Sequence, residues 1–358
     1  LVSGSFVQGQ ATGTIEIART GNLGKEDLPA VSAGPSKLET EVEIESSGLT
    51  LYGTFRLPTD SPAGGAFPLM VIVSGSGPTD RNGNSALLPG RNDSLKQLAE
   101  ALGQRGIATL RYDKRGVGAS TEPGMREEDQ VFGDLVNDFL KWIDWAGDQP
   151  GVSAIYAAGH SEGGLVVLAA LGYDGRSDHL AEAGINAELA RDARAHVDGA
   201  ITIAAPGRPF DDVTLAQLAQ SLGETSALYA QAKAIFAALE SDEDVPPAPT
   251  ELASLFRPSV YPYLRSIMEF DPPLLAARLE RPLLAIAGTE DLQVPVSDAE
   301  KIARPSDKSE MLAVDGMNHV LKVVPEGDMQ ANQQAYYDPS FALAEPLVDA
   351  IVRFMGGS

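Results

Sequence analysis

Not one cysteine occurs among the 358 residues. Disulfides, thiolate metal sites and a cysteine nucleophile are therefore excluded, although no compartment is, because an exported protein does not require disulfides. Basic residues are scarce as well: 27 Lys and Arg stand against 50 Asp and Glu, a formal net charge of −23. That balance argues against a nucleic-acid partner, since phosphate binding relies on clustered cations that release counterions. The acidity itself is read as a solvated surface, and no substrate is drawn from it. Long apolar runs are also missing. Stretches such as residues 165–171 fall far short of the roughly 20 residues that span a bilayer, so no membrane span is expected. The chain opens on Leu1 and not Met, which favours an exported form, periplasmic or secreted, from which a leader has been removed.

What is present is a hydrophobic content of 43%, enough in a chain of this length for one large α/β domain with an insertion. Residues 1–36 are rich in Gly, Ser and Thr with one strand-like stretch at 14–18, and read as an N-terminal extension without assigned chemistry. Residues 38–44 and 51–57 then alternate or enrich apolar and β-prone residues around Ser46-Ser47-Gly48, the pattern of a hairpin. From there the chain reads strand, helix, strand, helix. The strands, short apolar runs at 69–73, 107–112, 154–158, 200–204, 283–287 and 311–314, suit a sheet buried on both faces. Helical spacing fills the gaps, as in Leu95, Leu98, Ala99 and Leu102, in Val131, Leu135, Phe139 and Ile143, and in Leu347, Ile351 and Phe354. The expected architecture is α/β: a mostly parallel, doubly wound sheet opened by an antiparallel hairpin.

One segment breaks the rhythm. Residues 206–281 carry several helical faces, including Leu215, Leu218 and Leu222, separated by an acidic, Pro-rich loop at 241–250. We read them as a helical cap inserted between a first core part, 37–205, and a second, 282–358. Its apolar stripes serve packing first, but Tyr261, Tyr263 and Phe270 are expected to reach the substrate and set acyl-chain selectivity.

The chemistry starts at Gly159-His160-Ser161-Glu162-Gly163, between an apolar strand and a helical run. This is the strand–turn–helix setting of a nucleophile elbow, in which small residues two before and two after the serine let strand and helix approach. Ser161 is the expected nucleophile, and the N–H of Glu162 at a helix N-terminus the expected first oxyanion donor. A serine hydroxyl needs a base, and the base an orienting carboxylate. Downstream, Gly288-Thr289-Glu290-Asp291 and Gly316-Met317-Asn318-His319 each follow a strand, giving the order Ser, Asp, His. Among four histidines, His160 sits inside the elbow and His179 and His196 lie in a polar stretch, which leaves His319 as base. Asp291 is preferred as acid over the adjacent Glu290 and over Asp315.

The second oxyanion donor is expected from Ser74-Gly75-Ser76-Gly77-Pro78, at the N–H of Ser76 with Gly77 as the alternative; Gly75, Gly77 and His160 should line the substrate site. A nucleotide loop is set aside, because the third glycine of a dinucleotide fingerprint would fall at Asp80. No His or carboxylate cluster has metal-ligand spacing, so neither metal nor cofactor is expected.

The elbow Gly-His-Ser-Glu-Gly-Gly at 159–164, Ser-Gly-Ser-Gly-Pro-Thr-Asp-Arg at 74–81, Arg-Tyr-Asp-Lys-Arg-Gly-Val-Gly at 111–118 and the Asn318-His319 pair together resemble the bacterial α/β-hydrolase carboxylesterases, from about residue 38 to the end. The resemblance implies a serine esterase that cleaves small-molecule carboxylic esters through an acyl-enzyme, with related members acting on peptides or thioesters. In that family the oxyanion loop commonly begins His-Gly, whereas Ser74 stands here. Asp80, Arg81 and residues 113–115 are expected to brace the pocket loops. Two rivals remain. A peptidase would need a carboxylate, such as Glu269 or Asp271, to anchor a peptide amino terminus; a non-catalytic binding protein would have no need of an activated serine. The oligomeric state is left open.

Overall fold

The computed structural model describes residues 38–60, 65–173, 184–241 and 243–356, together with the backbone of two strands, β1 (Val2–Gln8) and β2 (Ala11–Ile17), which pair antiparallel as a separate two-stranded sheet. The rest of the expected N-terminal extension, and His179, lie outside the described residues.

The main sheet opens with β3 (Glu39–Ser46) and β4 (Leu49–Arg56), joined by a two-residue turn at Ser47 and Gly48 with φ of 50° and 79°. Two positive φ values give the turn that matches the right-handed twist of the flanking strands, and a glycine at the second position adopts one without strain. The sheet continues through β5 (Phe67–Val73), β6 (Ala108–Tyr112), β7 (Val152–His160), β8 (Val197–Ile203), β9 (Leu283–Gly288) and β10 (Ser309–Val314). Its eight strands run in the order β10-β9-β8-β7-β5-β6-β4-β3. All pairs are parallel except β3 with β4 and β4 with β6.

The central strands are apolar throughout because both faces are covered. In β5, Leu69, Val71 and Val73 pack in one cluster with Phe139 and Trp142 of α2 (Phe132–Gly147) and Leu168 of α3 (Glu162–Gly172). Met70 and Ile72 face the other way, toward Leu98 and Leu102 of α1 (Ser94–Gln104) and Leu347 and Ile351 of the helix Glu345–Phe354. Helices that the sequence pattern did not predict lie at Ala187–His196, which ends on His196, at Val296–Ala303 and at Met329–Gln334.

Between β8 and β9 the chain forms the helices Phe210–Leu222, Ala227–Glu240, Tyr261–Met268 and Pro272–Ala277. The first three share a small core of their own, in which Leu218, Ile235, Phe236, Leu239, Phe256 and Leu264 are buried. This insertion attaches through Arg208, whose guanidinium forks onto the fully buried Asp298 at 2.9 Å. Among the described residues no helix is long and apolar enough to cross a membrane.

Candidate active site

Strand β7 ends at His160 and α3 begins at Glu162, so Ser161 alone makes the turn between them. It does so at φ 55°, ψ −125°, a conformation that a residue with a side chain adopts only when its surroundings enforce it. The surroundings are glycines packed to contact. A Cβ on Gly159 would sit 2.0 Å from the Gly163 carbonyl oxygen, and one on Gly163 would sit 2.4 Å from that of Val73. Ser161 N–H donates to Ile203 O at 2.9 Å, and Gly164 N–H donates back to Ser161 O at 2.8 Å, which fixes the turn at both ends.

His319 Nε2 lies 3.1 Å from Ser161 Oγ, and His319 Nδ1 lies 2.8 Å from Asp291 Oδ2. The other Asp291 oxygen accepts the backbone N–H groups of Gln293 at 2.8 Å and Val294 at 2.9 Å. The carboxylate is therefore locked by its own loop and offers one oxygen to the ring. An ionised carboxylate only accepts, so Nδ1 carries the hydrogen and Nε2 is free to accept the serine proton. Glu290 turns away, its Oε2 accepting from Gly327 N–H at 3.0 Å. Asn332 ties the two loops together. Its amide donates to Glu290 O at 2.7 Å, and Asn318 Nδ2 reaches it at 3.4 Å. Nothing in the sequence pattern singled Asn332 out, because its role depends on a contact across 42 residues.

The loop after β5 passes close over Ser161. A Cβ on Gly75 would come within 3.0 Å of Ser161 Cβ, so any larger residue there would press on the Ser161 side chain. Gly77 has a φ of 66° and does not line the cleft described below. Ser74 is buried and its hydroxyl donates to Thr79 O at 3.0 Å, closing the loop on itself. The bracing residues behave as their charges suggest. Arg81 donates from its backbone and side chain to Asp113 at 2.8 and 2.9 Å, Arg115 forks onto Asp138 at 2.7 Å, and Asp80 accepts from Asn82 and Asn84.

A cleft of about 280 Å³ opens beside Ser161 and His319. Gly75, Ser76 and His160 border it, and its walls come from four separated segments. These are the loop from Thr79 to Leu88, the face of Gln217, Gln220 and Ser221, the pair Leu292 and Gln293, and the stretch around Asn332, Gln333 and Tyr336. Gln293 bridges two of them, donating to Tyr336 Oη at 2.8 Å and accepting from Gln217 at 3.2 Å through its carbonyl.

Three residues expected at the substrate are elsewhere. Phe270 is 1% exposed and packs on Phe132 with ring centroids 5.0 Å apart, so its bulk fills the core beneath α2. Tyr263 packs on Phe132 too, at 6.2 Å, and donates its hydroxyl to the Glu162 carboxylate. Tyr261 joins the core of the insertion. Large aromatics are drawn first to wherever most apolar surface is removed from water, which here is the interior. Among the described residues no group of three His, Asp or Glu is placed to hold a metal ion.

Residues 86–232 match the family described as Serine aminopeptidase, S33 (Hydrolase_4). The chain is 28% identical to Esterase EstD of Thermotoga maritima over 98% of its own length and 77% of that protein's. Among solved structures it resembles Est1E from Butyrivibrio proteoclasticus at 19% identity, covering 88% of this chain and 97% of the other, with a TM-score of 0.51, or 0.53 for the form with ferulic acid bound. A Pyrococcus furiosus esterase aligns at 17% identity over 89% and 91% of the two chains, with a TM-score of 0.50.

Proposed function

We propose that this chain, an α/β-hydrolase by fold, is a serine hydrolase that cleaves carboxylic esters through an acyl-enzyme. One observation carries the reading: the relay from Asp291 through His319 to Ser161, at 2.8 and 3.1 Å, opens on a cleft that, among the described residues, has no carboxylate, lysine or arginine in its wall. Ser161 Oγ attacks the ester carbonyl carbon as His319 Nε2 takes its proton. The charge that develops on the carbonyl oxygen is met by the N–H groups of Glu162 and Ser76. Collapse of the tetrahedral species breaks the bond to the alcohol oxygen, which leaves with the proton from His319. Water then attacks the acyl-enzyme by the same route and releases the acid.

The similarity to Esterase EstD supports ester chemistry. The aminopeptidase family match makes peptides the second candidate, but a free amino terminus needs a carboxylate near the nucleophile. Glu269 is exposed and Asp271 caps the helix Pro272–Ala277; neither borders the cleft. The test is a parallel assay of p-nitrophenyl esters and aminoacyl p-nitroanilides on purified protein, with a fluorophosphonate probe to label the serine. Ester turnover with labelling lost in Ser161→Ala supports the reading. Turnover of anilides alone, or labelling that survives Ser161→Ala, overturns it.

A further inference from the structure

Behind the nucleophile lies a chain of buried groups that hydrolysis does not itself use. Lys114 is 4% exposed, and its ammonium donates to the carbonyl oxygen of Gly75. The same ammonium stands 4.0 Å from the carboxylate of Glu162, which is 8% exposed and also accepts from the Tyr263 hydroxyl. Burial pulls the Lys114 pKa below its ordinary value and pushes that of Glu162 up, each opposed by the charge of the other. A buried ion pair of this kind rarely repays its own desolvation, so its presence calls for a reason other than stability.

The geometry of one peptide unit supplies the reason. The Gly75 carbonyl and the Ser76 N–H belong to the same planar trans peptide and point in opposite directions. With the oxygen held inward by Lys114, the N–H is turned outward, toward the cleft that Gly75, Ser76 and Ser161 border. Glycine at 75 leaves this peptide free to rotate in the absence of such a tether. The other oxyanion donor is the N–H of Glu162, the residue whose side chain pairs with Lys114. One ammonium thus holds the peptide that carries one of these N–H groups and stands beside the side chain of the residue that carries the other, and Tyr263 connects the pair to the helix Tyr261–Met268 of the insertion.

We propose that Lys114 is a positioning residue that aims the Ser76 N–H by clamping the Gly75 carbonyl, with Glu162 and Tyr263 holding the ammonium in place. This rests on the esterase reading of the site. The clamp acts on the transition state, where the carbonyl oxygen bears charge, and hardly on the bound ester.

Lys114→Met keeps most of the buried bulk and removes the donor. Loss of one oxyanion donor lowers turnover by about 10²–10³, and misaiming one is expected to lower kcat by at least about tenfold with KM within about threefold. The second readout is the inhibition constant of an alkyl trifluoromethyl ketone, which adds the serine oxygen to its carbonyl carbon, passes the proton to His319 and places a full oxyanion in the hole. Its affinity should fall in proportion to kcat, while melting curves show a folded protein. A folded Lys114→Met with unchanged kcat, or with lowered kcat and unchanged ketone affinity, overturns the clamp. If that variant does not fold, Tyr263→Phe decides: a parallel fall in kcat and ketone affinity supports the clamp, and no change in either overturns it. A parent protein that neither turns over esters nor labels at Ser161 retires the esterase reading itself; an active parent indistinguishable from a folded Lys114→Met retires the clamp alone.

Discussion

The His160 ring donates through Nε2 to the backbone carbonyl of His319 at 2.8 Å, so the residue before Ser161 holds the main chain of the residue whose ring faces the Ser161 hydroxyl. The two rings lie 5.0 Å apart. Burial foremost, and then the neighbouring His319, push the His160 pKa from 6.5 down to about 3. The ring is therefore neutral at neutral and mildly acidic pH, and its Nδ1 is a buried acceptor without a partner among the described residues.

A folded-state pKa below the unfolded value means that the unfolded chain binds a proton which the native protein refuses. For His160 this makes native stability fall as the pH drops from about 6.5 toward 3, by up to about 1.4 kcal/mol per pH unit. His160→Gln keeps an amide donor for the His319 carbonyl and cannot titrate. Urea unfolding from pH 7 to pH 4 should therefore lose stability less steeply in the variant than in the parent. Parallel pH profiles would show that the ring is not the buried neutral group described here. His160→Ala leaves the carbonyl without its donor and should cost about 1–3 kcal/mol at pH 7.

Asp291 and Glu290 are adjacent carboxylates with separate partners, the first bonded to His319 and the second to the Gly327 N–H. Asp291→Asn presents an amide where the ring needs an acceptor, favours the wrong tautomer and should lower kcat by about 10⁴ without unfolding the protein. Glu290→Gln retains an oxygen for Gly327 and should stay within about tenfold of the parent, about 1.4 kcal/mol or less in barrier height. Both are measured on one ester, with melting curves recorded alongside. The reverse ranking would move the acid to Glu290.

Gly163→Ala puts a methyl group 2.4 Å from Val73 O and 2.8 Å from Ser74 O, both backbone atoms that cannot swing aside. Overpacking of this kind costs about 1–3 kcal/mol, and its relief must displace either the elbow or the loop after β5. The variant is expected to melt lower and to lose activity beyond what its folded fraction explains. An alanine variant with parental melting temperature and turnover would mean that strand and helix have more room than these contacts allow.

What could be read in advance follows a physical division. The strands of the sheet were legible because both of their faces are covered, which forces unbroken apolar runs such as Leu69, Met70, Val71 and Ile72. That Ser161, Asp291 and His319 come together was legible because each follows the end of a strand, in a recognisable order. The cleft was not. Its walls mix polar side chains such as Gln217, Gln220 and Gln333 with Leu87, Leu88 and Leu292 from distant segments, and the helix Met329–Gln334 that supplies part of one of them is too short and too polar to leave a periodic signal. The aromatics at 261, 263 and 270 misled in the opposite sense, since the pattern that marks an apolar face does not say whether it meets a ligand or the core.

Substitutions on the two sides separate a ligand face from a core face. Ser221 borders the cleft, and among the described residues its hydroxyl bonds only within its own helix, to Gln217 O at 2.6 Å, so it can be replaced with little effect on folding. Ser221→Trp sets an indole into a space of about 280 Å³, leaving room for a short acyl group but not a long one. The ratio of kcat/KM for p-nitrophenyl octanoate over acetate should drop at least about tenfold, equivalent to about 1.4 kcal/mol of lost discrimination. Phe270→Ala is the counterpart. It empties a core site and should destabilise by about 3–5 kcal/mol, yet leave the ratio of the folded enzyme where it was, because Phe270 faces Phe132 and not the cleft. Melting curves separate the two effects. If Phe270→Ala shifts the ratio and Ser221→Trp does not, the acyl group lies against the buried aromatic side of the insertion, and the cleft bordered by Ser221 is not where the substrate binds.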